Sequence, residues 1–320
     1  MKFHETHFEE YINTINMHPK LEKVLSHLPN KIQQFKNLIF YGPSGVGKYT
    51  QMLRSIKQYS PSELKYEKKI SVTYNKQQYF FKISDIHYEV DMSLLGCSSK
   101  LLWHEIYQQI VDIVGGKTEK CGIIVCKYFH EIHNELLENF YSYMQRNPMS
   151  SIDLKFIIIT ENISFLPENI LNCCEVISLP RPSKAIYTKC LNLNAKVLKK
   201  MNAEEITNVK NLHNPETNEL MQTHRIISDK ILTCIKNIDD IKFVKFRDLL
   251  YDVLIYNLDV NECVWYILST LINEGMIPAE KISETLIKTY TFFKYYNNNY
   301  RPIYHMENYF FYLISLQIKV

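Results

Sequence analysis

Residues Asn37–Thr50 read NLIFYGPSGVGKYT, and this stretch decides the fold. The run NLIFY predicts a short buried strand, and a helical spacing of apolar residues resumes from Tyr49. Gly42, Gly45 and Gly47 lie between the two, and they are three of only 8 glycines in the chain. Glycines placed in this way let successive backbone N–H groups curl around a phosphate at the start of a helix. The stretch therefore predicts a P-loop that binds a nucleotide, with a purely structural glycine turn as the alternative.

The candidate nucleotide-binding residues are those of the motif itself, namely Gly42, Pro43, Ser44, Gly45, Val46, Gly47, Lys48, Tyr49 and Thr50. In the pattern GxxxxGK[ST] the lysine reaches the terminal phosphates and the last residue gives a hydroxyl to Mg²⁺. Here Tyr49 takes that last position, and Thr50 is one residue out of phase. A phenol on a longer, rigid stem does not suit the same coordination position, whereas the phosphate-binding backbone tolerates the change better. We therefore expect ATP or ADP at the loop, and the motif does not favour Mg²⁺.

Short apolar strands alternate with helices through the first half of the chain. Helical spacing covers residues 7–35, 100–114 and 131–146. Strand patterns cover residues 68–84, which read as a hairpin around Asn75-Lys76, and residues 86–90, 121–126, 155–160 and 176–179. This alternation predicts an α/β domain, with a parallel sheet and helices on both faces. After the break LPRPSK at 179–184 the strand signal largely ends, so residues 184–320 are predicted to be helical.

The composition excludes several classes of protein. With 320 residues, 46% of them hydrophobic and 22% charged, the chain is neither disordered nor fibrous and can form more than one domain. The charges, 37 Lys and Arg against 34 Asp and Glu, leave a net charge of +3, so contact with nucleic acid must come from local patches. No apolar run reaches the roughly 18 residues of a membrane helix, and the N-terminal MKFHETHFEE lacks the apolar core of a signal peptide. We expect an intracellular, soluble protein without a membrane partner.

A metal site is not predicted. The 8 cysteines are scattered without a CxxC pair, so they read as reduced thiols. His130 and His133, with Glu131 between them, would share a helical face but have no matched third ligand, which favours a surface helix. The spacing of the C-terminal aromatic residues favours core and subunit packing over a base-stacking platform. These residues include Tyr295, Tyr296, Tyr309, Phe310 and Phe311.

The chain resembles the small subunits of replication factor C, the eukaryotic AAA+ clamp loader, at several separate motifs. Phe40–Thr50 is similar to the FYGPSGVGK sequence of the non-catalytic small subunit at the end of the pentameric arc. Lys68–Val90 is similar to that subunit's β-hairpin insertion and YHLEV-like strand. Ile303–Phe310 (IYHMENYF) is similar to the IYHLEAF segment of its collar helices. Divergent subunits of this kind are also encoded by large DNA viruses, and a composition rich in Asn, Lys and Ile suits such a source.

The resemblance implies three domains: an AAA+ P-loop core at 1–183, a reduced helical lid at 184–223 and a helical collar for oligomerisation at 224–320. It implies a role in DNA replication, in which the chain assembles with other AAA+ clamp-loader subunits and helps to load a sliding clamp on primer–template DNA. A nuclear location or a viral replication site follows from that role. The family places a basic contact to the DNA backbone at the start of a helix, where this chain has Lys100; a merely solvated lysine is the alternative.

The resemblance also indicates which catalytic parts are missing. The family's acidic box, which supports Mg²⁺ and polarises the attacking water, falls at Lys127 and Tyr128, after Cys126. Neither residue can be a carboxylate base, and Lys127 would repel a metal ion or substitute for its charge. The family's Ser-Arg-Cys finger motif aligns with Asn172–Cys174, so Cys173 replaces the arginine. We therefore expect no catalytic residues, and a subunit without intrinsic ATPase activity inside an ATPase complex.

Two alternatives stay open from the sequence. An active DNA-dependent ATPase, such as a remodelling motor, would need a relocated catalytic base at Glu131 or Glu161. A nucleotide-free DNA-binding adaptor would leave the P-loop without a ligand. Turnover that is abolished by Lys48→Ala would identify the first alternative, and failure to retain nucleotide would favour the second.

Overall fold

A computed structural model describes residues 7–96, 98–145, 151–183, 185–186, 189, 223–237, 241–296 and 301–317. The chain divides into two compact units, residues 1–213 and residues 214–320. The predicted lid at 184–223 lies almost entirely outside the described residues, so the three predicted domain boundaries stay predictions.

The first unit is built on one seven-stranded sheet. Its strands are β1 (Asn37–Tyr41), β2 (Lys68–Tyr74), β3 (Gln77–Ile83), β4 (His87–Asp91), β5 (Cys121–Lys127), β6 (Asp153–Thr160) and β7 (Cys174–Ser178). Their order in space is β2-β3-β4-β5-β6-β1-β7. The five strands from β4 to β7 in this order are parallel, whereas β3 is antiparallel to both β2 and β4. The predicted α/β fold is confirmed, but the sheet is mixed because the hairpin joins its edge.

The hairpin forms where its turn residues predict it. Asn75 and Lys76 both have positive φ, 48° and 63°, which is the backbone of a two-residue turn that matches the twist of the flanking strands. Tyr74 pairs with Gln77 directly across this turn. Asparagine tolerates the left-handed conformation better than most residues, so the local sequence favours the turn at this place.

Helices cover both faces of the sheet. The described helices of this unit are α1 (Phe8–Ile12), α2 (Leu21–Leu25), α3 (Lys48–Ile56), α4 (Ser99–Gly115), α5 (Asn134–Met144) and α6 (Glu168–Asn172). Successive strand residues point to opposite faces. Leu38 and Phe40 therefore share a buried cluster with Met52 of α3, whereas Ile39 belongs to the cluster that contains Trp103 of α4. The region 7–35 is less helical than predicted, since it holds only α1, α2 and one 3₁₀ turn.

The second unit is helical in its described residues, as predicted. Its helices are α7 (Thr223–Lys236), α8 (Phe243–Ile255), α9 (Val260–Asn273), α10 (Ile282–Tyr296) and α11 (Pro302–Gln317). The segment IYHMENYF lies on α11, where Tyr309 stacks on Phe292 with ring centres 4.7 Å apart and Phe310 is buried. Glu307 of the same segment accepts a bidentate pair of hydrogen bonds from Arg247 of α8. Tyr309 and Phe310 are therefore core residues of this unit, while Tyr295 is exposed.

The topology puts the glycine loop at the reversal point of the sheet. β1 lies between β6 and β7. After β1 the chain crosses to the far side of the sheet, where it forms the β2–β3 hairpin and β4, and it then returns toward β1 through β5 and β6. Ligands of open α/β sheets bind beyond the carboxyl ends of the strands at such a point. The loop that follows Tyr41, the residue Glu161 after β6 and the end of β5 all lie at this edge.

The loop begins in a place that only glycine fits. The Leu179 N–H, just past β7, donates to the Tyr41 carbonyl at 2.7 Å, and this brings the two backbones together. A Cβ atom on Gly42 would lie 2.3 Å from the Leu179 carbonyl oxygen, which is part of the backbone and cannot swing aside. Gly42 therefore allows β7 to close against the start of the loop.

We predict that Gly42→Ala lowers the free energy of unfolding by about 2 kcal/mol or more, because the added methyl separates two paired backbones. The matched control is Gly116→Ala, whose Cβ would meet its nearest atom at an ordinary 3.6 Å. Urea unfolding of the full chain measures both variants. Equal stability of the two variants would contradict the steric account.

Candidate phosphate site

The glycine loop runs directly into a helix, as a P-loop does. Lys48, Tyr49 and Thr50 are the first three residues of α3, and the loop before them turns through Gly45 and Gly47, which have φ of 69° and 87°. These left-handed conformations suit glycine, which has no Cβ to clash. The positive end of α3 therefore lies at the loop, where an anion is stabilised.

The other motif residues shape this loop. Pro43, Ser44 and Gly45 are half-buried in it, and Thr50 is half-buried on α3. Val46 is fully buried in the cluster beneath α3 and anchors the loop to the core. The structure thus brings the nine predicted nucleotide-binding residues together in one strand–loop–helix corner.

Lys48 is held inside the loop by its own backbone. Its side chain is only 8% exposed, and Nζ donates to the carbonyl oxygens of Gly42 at 2.8 Å and Pro43 at 2.7 Å. Nζ also lies 3.3 Å from Glu161 Oε1. Burial lowers the pKa of Lys48, and the carboxylate of Glu161 opposes that shift. The ammonium therefore already has three oxygen partners. A phosphate would have to share the ammonium with these oxygens or displace them.

Glu161 brings a carboxylate to the phosphate end of the site. It follows β6 directly, and its backbone N–H donates to His130 Nδ1 at 3.3 Å. His130 Nε2 lies 4.0 Å from Glu161 Oε2 and 3.7 Å from Glu131 Oε1. The structure thus groups both proposed locations of a relocated base around one histidine. Asn162, the adjacent position, is buried and binds the backbone of its own loop.

Tyr49 points its hydroxyl at a buried carboxylate. The hydroxyl donates to Glu89 Oε1 at 2.6 Å, and the Glu89 side chain is only 1% exposed. Burial, together with the negative charge of Glu89, raises the pKa of Tyr49 far above its ordinary value. The phenol therefore stays protonated and is committed as a donor to Glu89.

Lys127 approaches the same carboxylate from the end of β5. Its Nζ lies 3.3 Å from Glu89 Oε2 and 5.6 Å from the ring centre of Tyr49. Glu89 Oε2 accepts no well-aligned hydrogen bond among the described residues, so this contact is one of charge with charge. Tyr49, the departure from the P-loop motif, and Lys127, at the end of β5, thus meet at Glu89. We call these three residues the Glu89 cluster.

His87 supports the cluster from within β4. Its Nε2 lies 3.3 Å from Glu89 Oε1, and its Nδ1 lies 2.5 Å from Ser84 Oγ in the buried interior. Burial alone would raise the pKa of Glu89. The hydrogen bond with His87, the charge of Lys127 and the hydrogen bond from Tyr49 outweigh it, so the pKa lies below its ordinary value. Glu89 is therefore ionised at neutral pH.

The segment before β1 packs on the loop. His18 Nε2 lies 2.7 Å from the Val46 carbonyl oxygen, and the Met17 methyl lies 2.5 Å from the point that a Cβ on Gly47 would occupy. Burial lowers the pKa of His18, and the hydrogen bond to Val46 opposes that shift. A neutral His18 donates to this carbonyl, which holds the loop to the N-terminal segment.

Three predicted residues, Lys100, Tyr128 and Cys173, are not members of the Glu89 cluster. Lys100 is exposed at the second position of α4, the helix start that the sequence predicts for it. Tyr128 follows β5 in the left-handed conformation, with φ of 52°, and is 45% exposed. Cys173 is half-buried at the end of α6, with its Sγ 3.8 Å from Cys174 Sγ, and this contact lowers the pKa of Cys173 to about 7.

The described residues do not fit a metal ion. They contain no group of three His, Cys, Asp or Glu side chains that could hold one. His130 and His133 do not share a helical face as predicted, because His130 lies in the 3₁₀ turn Phe129–Glu131 and His133 precedes α5. At the P-loop, the motif position that ordinarily gives a hydroxyl to Mg²⁺ carries Tyr49, whose phenol donates to Glu89, and the adjacent end of β5 carries the ammonium of Lys127. A hard cation prefers free oxygen ligands, so the site disagrees with Mg²⁺ binding.

Sequence reasoning missed Glu89, His87 and His18. Glu89 had a signal, since a single carboxylate within the buried run HYEV needs a partner. His87 lies in the same run, two residues away on the same face of β4. His18 had no signal, because it reaches Val46 across 28 residues of chain.

Comparison with known proteins gives weak likenesses. No protein-family model matches the chain, and no curated protein matches it significantly. The Thermotoga maritima RuvB Holliday junction branch migration motor has 12% identity and a TM-score of 0.42, over 85% of this chain and 91% of that chain. Saccharomyces cerevisiae RIF2 has 15% identity and a TM-score of 0.36, over 60% of this chain and 69% of that chain.

C. elegans PCH-2 has 13% identity and a TM-score of 0.36, over 59% of this chain and 53% of that chain. With identities and TM-scores this low, these likenesses carry no argument about function.

Among the helices of the described residues, none is long and apolar enough to cross a bilayer.

We predict that Lys127→Met destabilises the protein by about 1–3 kcal/mol at pH 7, because it leaves the ionised Glu89 without its cation. Since the folded-state pKa of Glu89 lies below the ordinary 4.5, its stabilising contribution is complete above pH 4.5 and is lost as the pH falls through the folded-state pKa. The difference between variant and parent should therefore shrink as Glu89 becomes protonated. Urea unfolding between pH 7 and pH 3 measures it.

The control is Lys36→Met, which removes the cation of an exposed pair with Glu175. We expect it to cost less than about 1 kcal/mol, since exposed ion pairs contribute little. A destabilisation by Lys127→Met that is equal at every pH would contradict the pairing with Glu89.

Proposed function

We propose that the chain is a nucleotide-binding, non-hydrolysing AAA+ subunit of a DNA clamp loader. In this role it assembles with other AAA+ subunits that hydrolyse ATP, and the complex loads a sliding clamp on primer–template DNA during replication. The protein acts in the nucleus or at a viral replication site. The P-loop holds ATP or ADP as a structural ligand.

One observation carries this proposal. A P-loop with a buried lysine lies at the reversal point of the sheet, but Lys127 and Tyr128 stand where hydrolysis requires carboxylates. A positioned base contributes about 10²–10⁴-fold to rate, and neither residue supplies a carboxylate for this role. The loop therefore supports binding, and the loss of the acids argues against turnover.

The clamp-loader part of the proposal rests on the sequence resemblance. Phe40–Thr50, Lys68–Val90 and Ile303–Phe310 resemble three separate segments of the non-catalytic small subunit. The corresponding elements are a P-loop, a hairpin that joins the sheet and a buried helix of the second unit. Lys100 is exposed at the start of α4, which suits a contact with the DNA backbone.

Glu161 favours a second candidate function, an active DNA-dependent ATPase. Its carboxylate lies 3.3 Å from the Lys48 ammonium, so it is close to where the terminal phosphate would bind. A relocated base has to lie within hydrogen-bond reach of the attacking water. Glu161 Oε1 is already engaged by the Lys48 ammonium, however, so this oxygen would have to leave its partner to reach a water molecule.

We predict that the purified full chain hydrolyses ATP no faster than about 10⁻³ s⁻¹, with or without DNA, since GTPases that lack one catalytic part turn over at that rate. Lys48→Ala should weaken nucleotide binding by about 10–100-fold, because it removes charged hydrogen bonds to phosphate. Equilibrium titration with a fluorescent nucleotide and a steady-state phosphate-release assay measure the two quantities. Lys57→Ala, at an exposed lysine just after α3, is the control.

Copurification from the native source tests the assembly. We expect a tagged full chain to recover other AAA+ subunits at one copy each, together with DNA-stimulated ATPase activity that the neighbours supply. Recovery of a lone chain whose own turnover is abolished by Lys48→Ala would instead establish the active ATPase. A lone chain that binds DNA but no nucleotide would establish the adaptor.

A further inference from the structure

The Glu89 cluster occupies the place where a P-loop ordinarily receives a divalent cation. We propose that this loop binds the phosphates of a nucleotide without a divalent cation, and that the Lys127–Glu89 ion pair excludes the metal from its usual position. The inference rests on nucleotide binding in the proposed function. It specifies which form of the nucleotide binds, namely the form without a bound metal ion.

The first step is that the motif hydroxyl is unavailable. In an ordinary P-loop, a serine or threonine hydroxyl is a ligand of the cation. Here the Tyr49 hydroxyl donates to Glu89 at 2.6 Å, and its raised pKa keeps the proton that makes this bond. Coordination of a cation would require this hydroxyl to leave Glu89. Glu89 is buried and would then lose one of its compensating partners.

The second step is that the nearest carboxylate is already neutralised. Glu89 is the carboxylate of the cluster, and both of its oxygens are in use. Oε1 accepts from Tyr49 and lies 3.3 Å from His87 Nε2, while Oε2 lies 3.3 Å from Lys127 Nζ. Asp91, two residues further along β4, accepts from the N–H and hydroxyl of Ser93 at its Oδ1. A metal would therefore have to break existing pairs to obtain the oxygens of Glu89.

The third step is that the ammonium of Lys127 already lies beside Glu89. Lys127 ends β5 on the face of the sheet that α3 covers, and its side chain is 26% exposed. Magnesium would approach an ammonium, and two cations repel each other strongly in a poorly solvated corner. Phosphate has no such difficulty. The loop N–H groups and the positive end of α3 remain to bind it.

The proposal predicts the sign of the effect of magnesium. In solution, excess Mg²⁺ converts a nucleotide to its magnesium complex. A site that takes the metal-free form must strip the metal from that complex, so added Mg²⁺ leaves the affinity unchanged or weakens it. A P-loop with a working metal position shows the opposite response, because the cation neutralises phosphate charge in the complex.

Isothermal titration of the full chain with ADP and with ATP tests this, in excess Mg²⁺ and in EDTA. We expect the Kd in EDTA to be equal to or lower than the Kd in Mg²⁺, for both nucleotides. Binding that is tenfold or more tighter in Mg²⁺ would overturn the inference and leave the proposed nucleotide-binding function intact. No binding in either buffer would overturn the inference together with the nucleotide-binding part of the proposed function.

A gain-of-metal variant tests the role of the cluster. The double substitution Tyr49→Thr with Lys127→Asp provides a hydroxyl and a carboxylate at the two altered positions. We expect its affinity for ADP to increase at least about tenfold when Mg²⁺ replaces EDTA. A folded double variant that shows no such increase would overturn the assignment of these residues to metal exclusion.

The matched control is Lys36→Asp, which makes the same change of charge. Lys36 lies just before the amino end of β1, whereas the loop follows the carboxyl end of that strand. Circular dichroism and thermal unfolding show whether each variant is folded. The wild-type titration does not depend on any variant, so failure of the double variant to fold leaves the proposal falsifiable. Metal-dependent binding by Lys36→Asp would also contradict the assignment, since Lys36 is remote from the Glu89 cluster.

Discussion

A buried, ionised carboxylate is the constraint on which the phosphate corner depends. Glu89 lies in the middle of the buried strand β4, and its charge needs compensation because water does not reach it. Tyr49, Lys127 and His87 supply that compensation from α3, β5 and β4. The pairing ties the first turn of the P-loop helix to the two strands beside it. Tyr49, which departs from the P-loop pattern, and Lys127, at the end of β5, are therefore structurally coupled to each other through one carboxylate.

The polar groups of the glycine loop also have partners within the protein. Lys48 donates to two loop carbonyls and pairs with Glu161, and His18 holds the Val46 carbonyl from the N-terminal segment. The contacts with Glu161 and His18 join the loop to the end of β6 and to the N-terminal segment. A corner with so many internal partners is preorganised, and a nucleotide would add to an existing framework of positive charge.

Local sequence predicted the elements that short-range physics controls. The strand NLIFY, the Asn75-Lys76 turn and the helices of the second unit follow from apolar periodicity and from backbone preferences, and the structure confirms them. It did not predict that the hairpin joins the edge of the same sheet, because strand pairing depends on contacts distant in sequence. The prediction that His130 and His133 share a helical face was wrong, since that helix begins only at Asn134. Both residues lie before the helix, where periodicity carries little information.

The sequence by itself determined the glycine motif before α3, the alternation of strands and helices, and the absence of a carboxylate at Lys127 and Tyr128, at the end of β5. Each of these is a property of residue types at short spacing, and the backbone has few ways to realise them. Only the tertiary structure decided where the replacement residues direct their polar groups. Tyr49, Glu89 and Lys127 are about 40 residues apart from one to the next, and they meet because β4 and β5 pair in parallel beneath α3. Burial then makes their pairing obligatory, since an isolated charge at that depth would destabilise the fold.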